Sequence, residues 1–157
     1  MIAQPAGLIR GFALAITVLG IAACGSNPST TASHSLSKGQ QAATVALDQV
    51  GAPYRYGGAT PDGFDCSGLV QFSYSRAGVV VPRTTGQLWS ASRTVGNEEL
   101  RAGDILFFNV EGKMSHVGMY LGKNRFVHAP QSGRTVSIAS LDAPFYKAAL
   151  IRAGRPY

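Results

Sequence analysis

The pattern of apolar and polar positions changes character twice along the chain. An unbroken apolar stretch, "GFALAITVLGIAA" (11–23), gives way at Cys24 to "GSNPSTTASHSL" (25–36), which is rich in Ser and Thr and has no apolar periodicity. From Ser37 onward apolar residues return, first with helical spacing. "SKGQQAATVALDQVG" (37–51) predicts a helix capped by Ser37 and stopped by Gly51. "DCSGLVQFSYSRAG" (65–78) predicts a second: Asp65 suits the N-cap, Cys66, Leu69, Val70, Ser73 and Ala77 share one face, and Gly78 is placed to end it. Between them lies "YRYGGATPDGF", a loop with three glycines and a Pro-Asp-Gly turn. Thr84 or Thr85 is placed to cap a third, short helix through "GQLWSAS".

The period then shortens. "GDILFFNV", "HVGMYLG", "RFVHAP", "TVSIAS" and "YKAALIRAG" are short runs rich in Val, Ile, Phe and Tyr, separated by turn residues. Helices first and strands afterwards predict an α+β fold, with N-terminal helices packed on one side of a small antiparallel sheet of about five strands. Trp89 and the Phe107-Phe108 pair are expected in the core, and no internal repeat is present.

The N-terminal stretch reads differently. Arg10 followed by 13 apolar residues has the form of an export signal, and it is too short to span the roughly 30 Å membrane core as a helix. Ile21-Ala22-Ala23-Cys24 resembles a bacterial lipoprotein processing box. The expected organisation is a signal peptide over 1–23, a lipidated Cys24 with a flexible tether over 24–36, and one folded domain over 37–157. His34, in the tether, is expected to be a solvated bystander. With no aspartate after Cys24, an outer-membrane anchor facing the periplasm is expected. Acyl chains on Cys24 would hold the protein on the membrane, each buried methylene contributing about 0.8 kcal/mol.

Charge narrows the partners. Without residues 1–23 there are 13 Lys and Arg against 8 Asp and Glu, a net charge of +5. No basic run or aromatic-interleaved basic patch is present, which argues against nucleic acid; a diffuse positive charge in the cell envelope suits an anionic polymer such as peptidoglycan.

Cys66 carries the chemistry. With Cys24 engaged by lipid, it is an unpaired thiol in an oxidising compartment, and it stands at the head of a helix. It is either a small buried apolar residue or a nucleophile. The glycine-flanked loop before it and the helix N-terminus, whose free N–H groups favour a thiolate and can hold an oxyanion, favour the nucleophile. The folded domain has two histidines, His116 in "HVGMYLG" and His128 in "RFVHAP". A hairpin with a three-residue loop, 121–123, would set them directly opposite on one face, His116 as the base and His128 orienting it. A zinc site built from the same three residues is the competing use. It is disfavoured because no two of them have a short metal-type spacing. No metal and no cofactor are expected.

Taken together, "GAPYRYGG…GFDCSGLVQFSY", "PRTTGQLW", "AGDILFF" and "SHVGMYLG…RFVHAP" resemble the NlpC-type family of papain-like bacterial cell-wall cysteine peptidases over about 40–157. The lipid-anchored murein endopeptidases of that family are the nearest kind. The resemblance implies a papain-like domain hydrolysing amides in peptidoglycan stem peptides, with Cys66 as nucleophile, His116 as base and His128 as the third member. It favours the D-alanyl–diaminopimelate cross-link, with the D-glutamyl–diaminopimelate bond as the alternative within the family. It also implies that Tyr56 lines the site as a hydroxyl donor near the oxyanion. Asp65 and Ser67 either bind the free amine or carboxylate of the stem peptide, or serve only as a helix cap and a first-turn hydroxyl. Arg83 either pairs with a substrate carboxylate or ties the third helix to the core. Gly118 is expected to keep a strand face clear. The protein is expected to be a monomer, and a non-catalytic peptidoglycan-binding lipoprotein is the rival from another functional class.

Overall fold

A computed structural model describes residues 35–110 and 112–156; the leader, Cys24 and His34 lie outside the described residues. Among the described residues four α-helices are formed: α1 (Lys38–Leu47), α2 (Cys66–Arg76), α3 (Thr85–Ala91) and α4 (Pro144–Ala149). Strands β1 (Ala59–Thr60) and β2 (Gly63–Phe64) make a small hairpin before α2. The main sheet comprises β3 (Arg93–Val95), β4 (Ile105–Val110), β5 (Lys113–Gly122), β6 (Arg125–His128), β7 (Ser137–Ser140) and β8 (Leu150–Arg155), in the order β3-β8-β4-β5-β6-β7. All its pairings are antiparallel.

The predicted caps are present. Ser37 and Gln40 form a reciprocal capping box on α1, Asp65 caps α2 through the Gly68 N–H, and Thr84 rather than Thr85 caps α3. Leu69, Val70, Ser73 and Ala77, the predicted inner face of α2, are all buried. They pack with α1 against Ile105, Phe107, Val117, Met119 and Val127 on one side of the sheet.

Two features depart from expectation. The sheet has six strands, because Arg93–Val95, too short and charged to show alternation, pairs with the C-terminal strand. Residues 146–149 of the run read as one strand belong instead to a helix, started by Pro144 at its first turn. Helix α4 lies on the face opposite α1 and α2, where Tyr146 and Ala149 join Leu106, Phe108 and Phe126. Helices therefore cover both faces.

One buried ion pair ties the sheet's centre to its terminal strand. Arg155 Nε and an Nη each donate to Asp104, at 2.6 and 2.7 Å, with both side chains nearly inaccessible. Beside it, the buried Tyr74 hydroxyl of α2 donates to the Gly103 carbonyl at 2.7 Å.

Candidate active site

The thiol is positioned by backbone close contact. Gly68 in the first turn of α2 packs so tightly on the Gly58 carbonyl that a Cβ there would lie 2.0 Å from the oxygen, which locks the glycine loop under the helix start. The N-terminus of α2 then meets β5 where that strand is unpaired: β6 pairs with β5 only over 119–122, leaving the edge at 115–117 open. The Cys66 sulfur fills that edge, 3.9 Å from the Ser115 carbonyl oxygen and hydrogen-bonded by the Val117 N–H. These two groups bracket His116, so the thiol lies alongside the backbone of the candidate base.

His116 and His128 share a face, but not by the expected hairpin. The turn has two residues, Lys123 and Asn124, both with φ of +52°. A two-residue turn alone would place the histidines on opposite faces. A bulge between Tyr120 and Gly122 adds one residue and restores parity. Beyond it Met119 faces Val127, so the histidines are offset diagonally by two residues rather than directly opposed. The offset suits the chemistry. The rings meet edge to face with centroids 5.1 Å apart, and His116 Nε2 lies 2.9 Å from His128 Nδ1. Gly118 permits this, since a Cβ there would lie 2.5 Å from the Phe126 ring, which packs against His128.

The bond between the rings fits two tautomer pairs. With Nε2 of His116 facing His128, a base role for this ring falls to Nδ1, which requires the ring hydrogen on Nε2. His116 Nε2–H then donates to His128 Nδ1, and His128 Nε2–H donates onward to the Tyr146 hydroxyl oxygen at 3.4 Å. Tyr146 was not singled out from the sequence; it arrives through α4, the helix that strand-like composition concealed. Its ring packs edge-on against Phe108, Phe126 and His128. Tyr146→Phe preserves that packing and removes only the oxygen. It is expected to lower kcat about 3- to 10-fold with KM unchanged, as steady-state kinetics would show; wild-type kcat would mean the hydroxyl does not hold His128.

Burial sets the resting charges. It lowers the pKa of His116 to about 4, and burial together with the charge of His116 lowers that of His128 to about 3. Burial also pushes the Cys66 thiol up, and the Asp65 charge adds to this against hydrogen bonds from Val117, Thr85 and Ser67. Desolvation thus opposes the thiolate that the helix start favours. The resting pair is thiol and neutral imidazole. The rate of Cys66 alkylation by iodoacetamide is accordingly expected to climb up to and beyond pH ~9, without a plateau between pH ~6 and 8. A plateau there would reveal a preformed thiolate–imidazolium pair.

A cleft of about 460 Å³ opens at the sulfur, lined among others by Tyr54, Tyr56, Asp65, Ser67 and Arg83. Asp65 is fully engaged there. Arg83 donates to both its oxygens at 2.9 and 2.7 Å, Gly68 and Gly57 donate backbone N–H groups, and the Ser67 hydroxyl donates at 3.2 Å. Burial opposes the charge, but these bonds together hold the Asp65 carboxyl below the usual carboxylate range. Ser67, buried, also accepts from Arg83. Asp65, Ser67 and Arg83 thus form a closed cluster at the helix cap, which gives the structural reading of each its geometry. Tyr56 stands at the cleft rim, 90% exposed, with no hydrogen-bond partner among the described residues. Tyr54, two residues earlier, is half-buried in the cleft. Burial first, then the nearby Cys66 and Asp65 charges, push its phenol up. Tyr54, which the sequence reading does not single out, lines the cleft with the sulfur, and the loop's path separates it from Tyr56. Among the described residues no cluster of three His, Cys, Asp or Glu is arranged to hold a metal ion.

Comparison with known proteins places this geometry in context. The model of the NlpC/P60 family matches residues 51–155. The murein DD-endopeptidase MepH of Escherichia coli is 35% identical over 136 residues, covering 80% of this chain and 50% of MepH. The bifunctional muramidase/DL-endopeptidase CwlT of Bacillus subtilis is 40% identical over 114 residues, covering 70% of this chain and 34% of CwlT. The solved NlpC/p60 domain of the peptidoglycan hydrolase SagA superposes with a TM-score of 0.65 at 32% identity, covering 74% of this chain and 97% of that one. The chain spans half or less of the length of these two curated relatives.

Proposed function

The chain belongs to the NlpC/P60 family, and from that premise we propose that it is a cysteine peptidase hydrolysing amide bonds in peptidoglycan stem peptides, with Cys66 as nucleophile. The observation that carries the reading is the sulfur seated against β5 at 115–117, beside a histidine pair whose remaining nitrogen is His116 Nδ1. As sulfur attacks the carbonyl carbon, His116 Nδ1 takes the thiol proton. The Cys66 N–H, which has no acceptor among the described residues, and the Tyr54 hydroxyl are the donors available to the developing oxyanion. The imidazolium then protonates the leaving amine, and the C–N bond breaks to give a thioester. Water, deprotonated by His116, releases the acid and restores the thiol. With a thiol raised and an imidazole lowered, the proton moves together with C–S bond formation rather than ahead of it.

The bond assigned is the D-alanyl–diaminopimelate cross-link, supported by the longer of the two alignments, that with MepH. The higher identity to CwlT favours the D-glutamyl–diaminopimelate bond as the second reading. Digestion of purified cross-linked peptidoglycan with the protein, followed by mass analysis of the products, decides between them. Conversion of cross-linked dimers to monomers supports the first, release of stem peptides truncated after D-glutamate supports the second, and an unchanged digest removes both. The Ile21-Ala22-Ala23-Cys24 box supports lipid attachment at Cys24, with residues 25–36 tethering the domain at the outer membrane as a monomer facing the periplasm. Radiolabelled palmitate incorporated into the wild type but not into Cys24→Ser tests the anchor.

A further inference from the structure

The cleft at Cys66 accounts for only one half of a substrate. A hydrolysed amide has an acyl side, which stays on sulfur, and an amine side, which must lie within reach of the imidazolium that protonates it. The amine side therefore extends past His116 and His128, away from the Tyr54–Arg83 cleft. Two cavities are present there. A pocket of about 90 Å³ is lined by His116, His128 and Phe145, and a larger one of about 400 Å³ by His128, Ser137 and Arg134; they share His128, Pro130, Gln131 and Tyr146 as walls. They adjoin across these four residues, next to the histidine pair, and we take them as the two ends of a groove.

The charges on the two sides differ. Arg83, in the acyl-side cleft, is neutralised by Asp65. Arg134, in the groove, forms no ion pair among the described residues, and none of the groove's lining residues is acidic. Its backbone is held by hydrogen bonds to Tyr54 and Gln131, which fixes the base of the side chain. Its charge is near enough to pull the Tyr146 phenol down, against the larger upward effect of burial. Phe145, 59% exposed, supplies an apolar wall at the inner end.

We propose that this groove holds the amine-side half of the substrate and that Arg134 pairs there with the free carboxylate of a diaminopimelyl residue. The inference rests on the peptidase reading. Diaminopimelate matches the groove: a short aliphatic chain to lie along Phe145, and a carboxylate at its D-centre that stays free whichever of its two amines is released. Arg134 selects for that carboxylate, and so for substrates in which it is not masked as an amide.

The test compares two stem-peptide substrates, one with the D-centre carboxylate free and one with it converted to the carboxamide. Wild type is expected to favour the free acid in kcat/KM by about 10-fold, the scale of one charge-assisted contact at a partly exposed site. Arg134→Ala is expected to bring that ratio close to one, and Arg134→Glu to reverse it, with thermal midpoints unchanged because the side chain is exposed. Equal wild-type rates on both substrates, or an equal loss on both in Arg134→Ala, would overturn the assignment while leaving the peptidase reading in place. Failure of wild type to cleave either substrate would overturn the peptidase reading and this one with it.

Discussion

Cys66→Ala is expected to lose peptidoglycan hydrolysis by about 10⁴-fold or more while retaining its fold and its binding to sacculi. The change removes one sulfur atom from a half-buried position at the edge of the core, a small loss of packing. Cys66→Ser is expected to be equally inactive. An imidazole with a pKa of about 4 is a weak base for a thiol, and weaker still for a hydroxyl. His116→Ala should fall to the same floor, and the double variant no further, because thiol and imidazole act as one unit. Quantified release of soluble muropeptides, with sacculus pull-down as the binding control, checks all four variants. Retention of more than about a tenth of wild-type activity by Cys66→Ala would sink the nucleophile assignment and bring the peptidoglycan-binding lipoprotein forward.

Asp104→Ala is expected to destabilise the domain by about 3–5 kcal/mol, lowering the thermal midpoint by roughly 10–20 °C. The effect comes from what remains. Arg155 is 8% exposed and would keep its charge without the carboxylate that accepts two of its N–H groups. Asp104 also accepts the Arg101 N–H, so the turn leading into β4 loses a bond as well. Strand β4 sits at the centre of the sheet between β5 and β8, so loosening its entry affects both. Scanning calorimetry of the variant checks this, and the double variant Asp104→Ala/Arg155→Met distinguishes the causes. Removing both charges should cost less than stranding one of them, and an equal loss in the single and double variants would show that packing rather than charge is at stake.

Much of the fold was legible because its signals are local. Ser37, Asp65 and Thr84 cap helices through their own side chains and the next turn's backbone, so short sequence windows contain the whole interaction. The core strands announce themselves by Val, Ile and Phe in runs bounded by turns. Helix α4 and strand β3 were hidden for the opposite reason. Both are short, and both are stabilised by distant partners: α4 by Phe108 and Phe126 beneath Tyr146, β3 by pairing with β8 nearly sixty residues away.

The sequence alone determined the reacting groups: one thiol at a helix head and two histidines of equal parity on neighbouring strands. Side chains alternate along a strand, so the two rings share a face only where the connection between them has the right parity. Tertiary structure decided that and the rest. The Leu121 bulge brought both rings to one face, which the two-residue turn alone would not have done, and left them diagonal; burial left the thiol and both imidazoles neutral, Arg83 closed the Asp65 cluster, and α4 brought Tyr146 to the end of the relay. Each of these depends on distances between segments far apart in the chain and on the exclusion of water between them, and no local pattern encodes either.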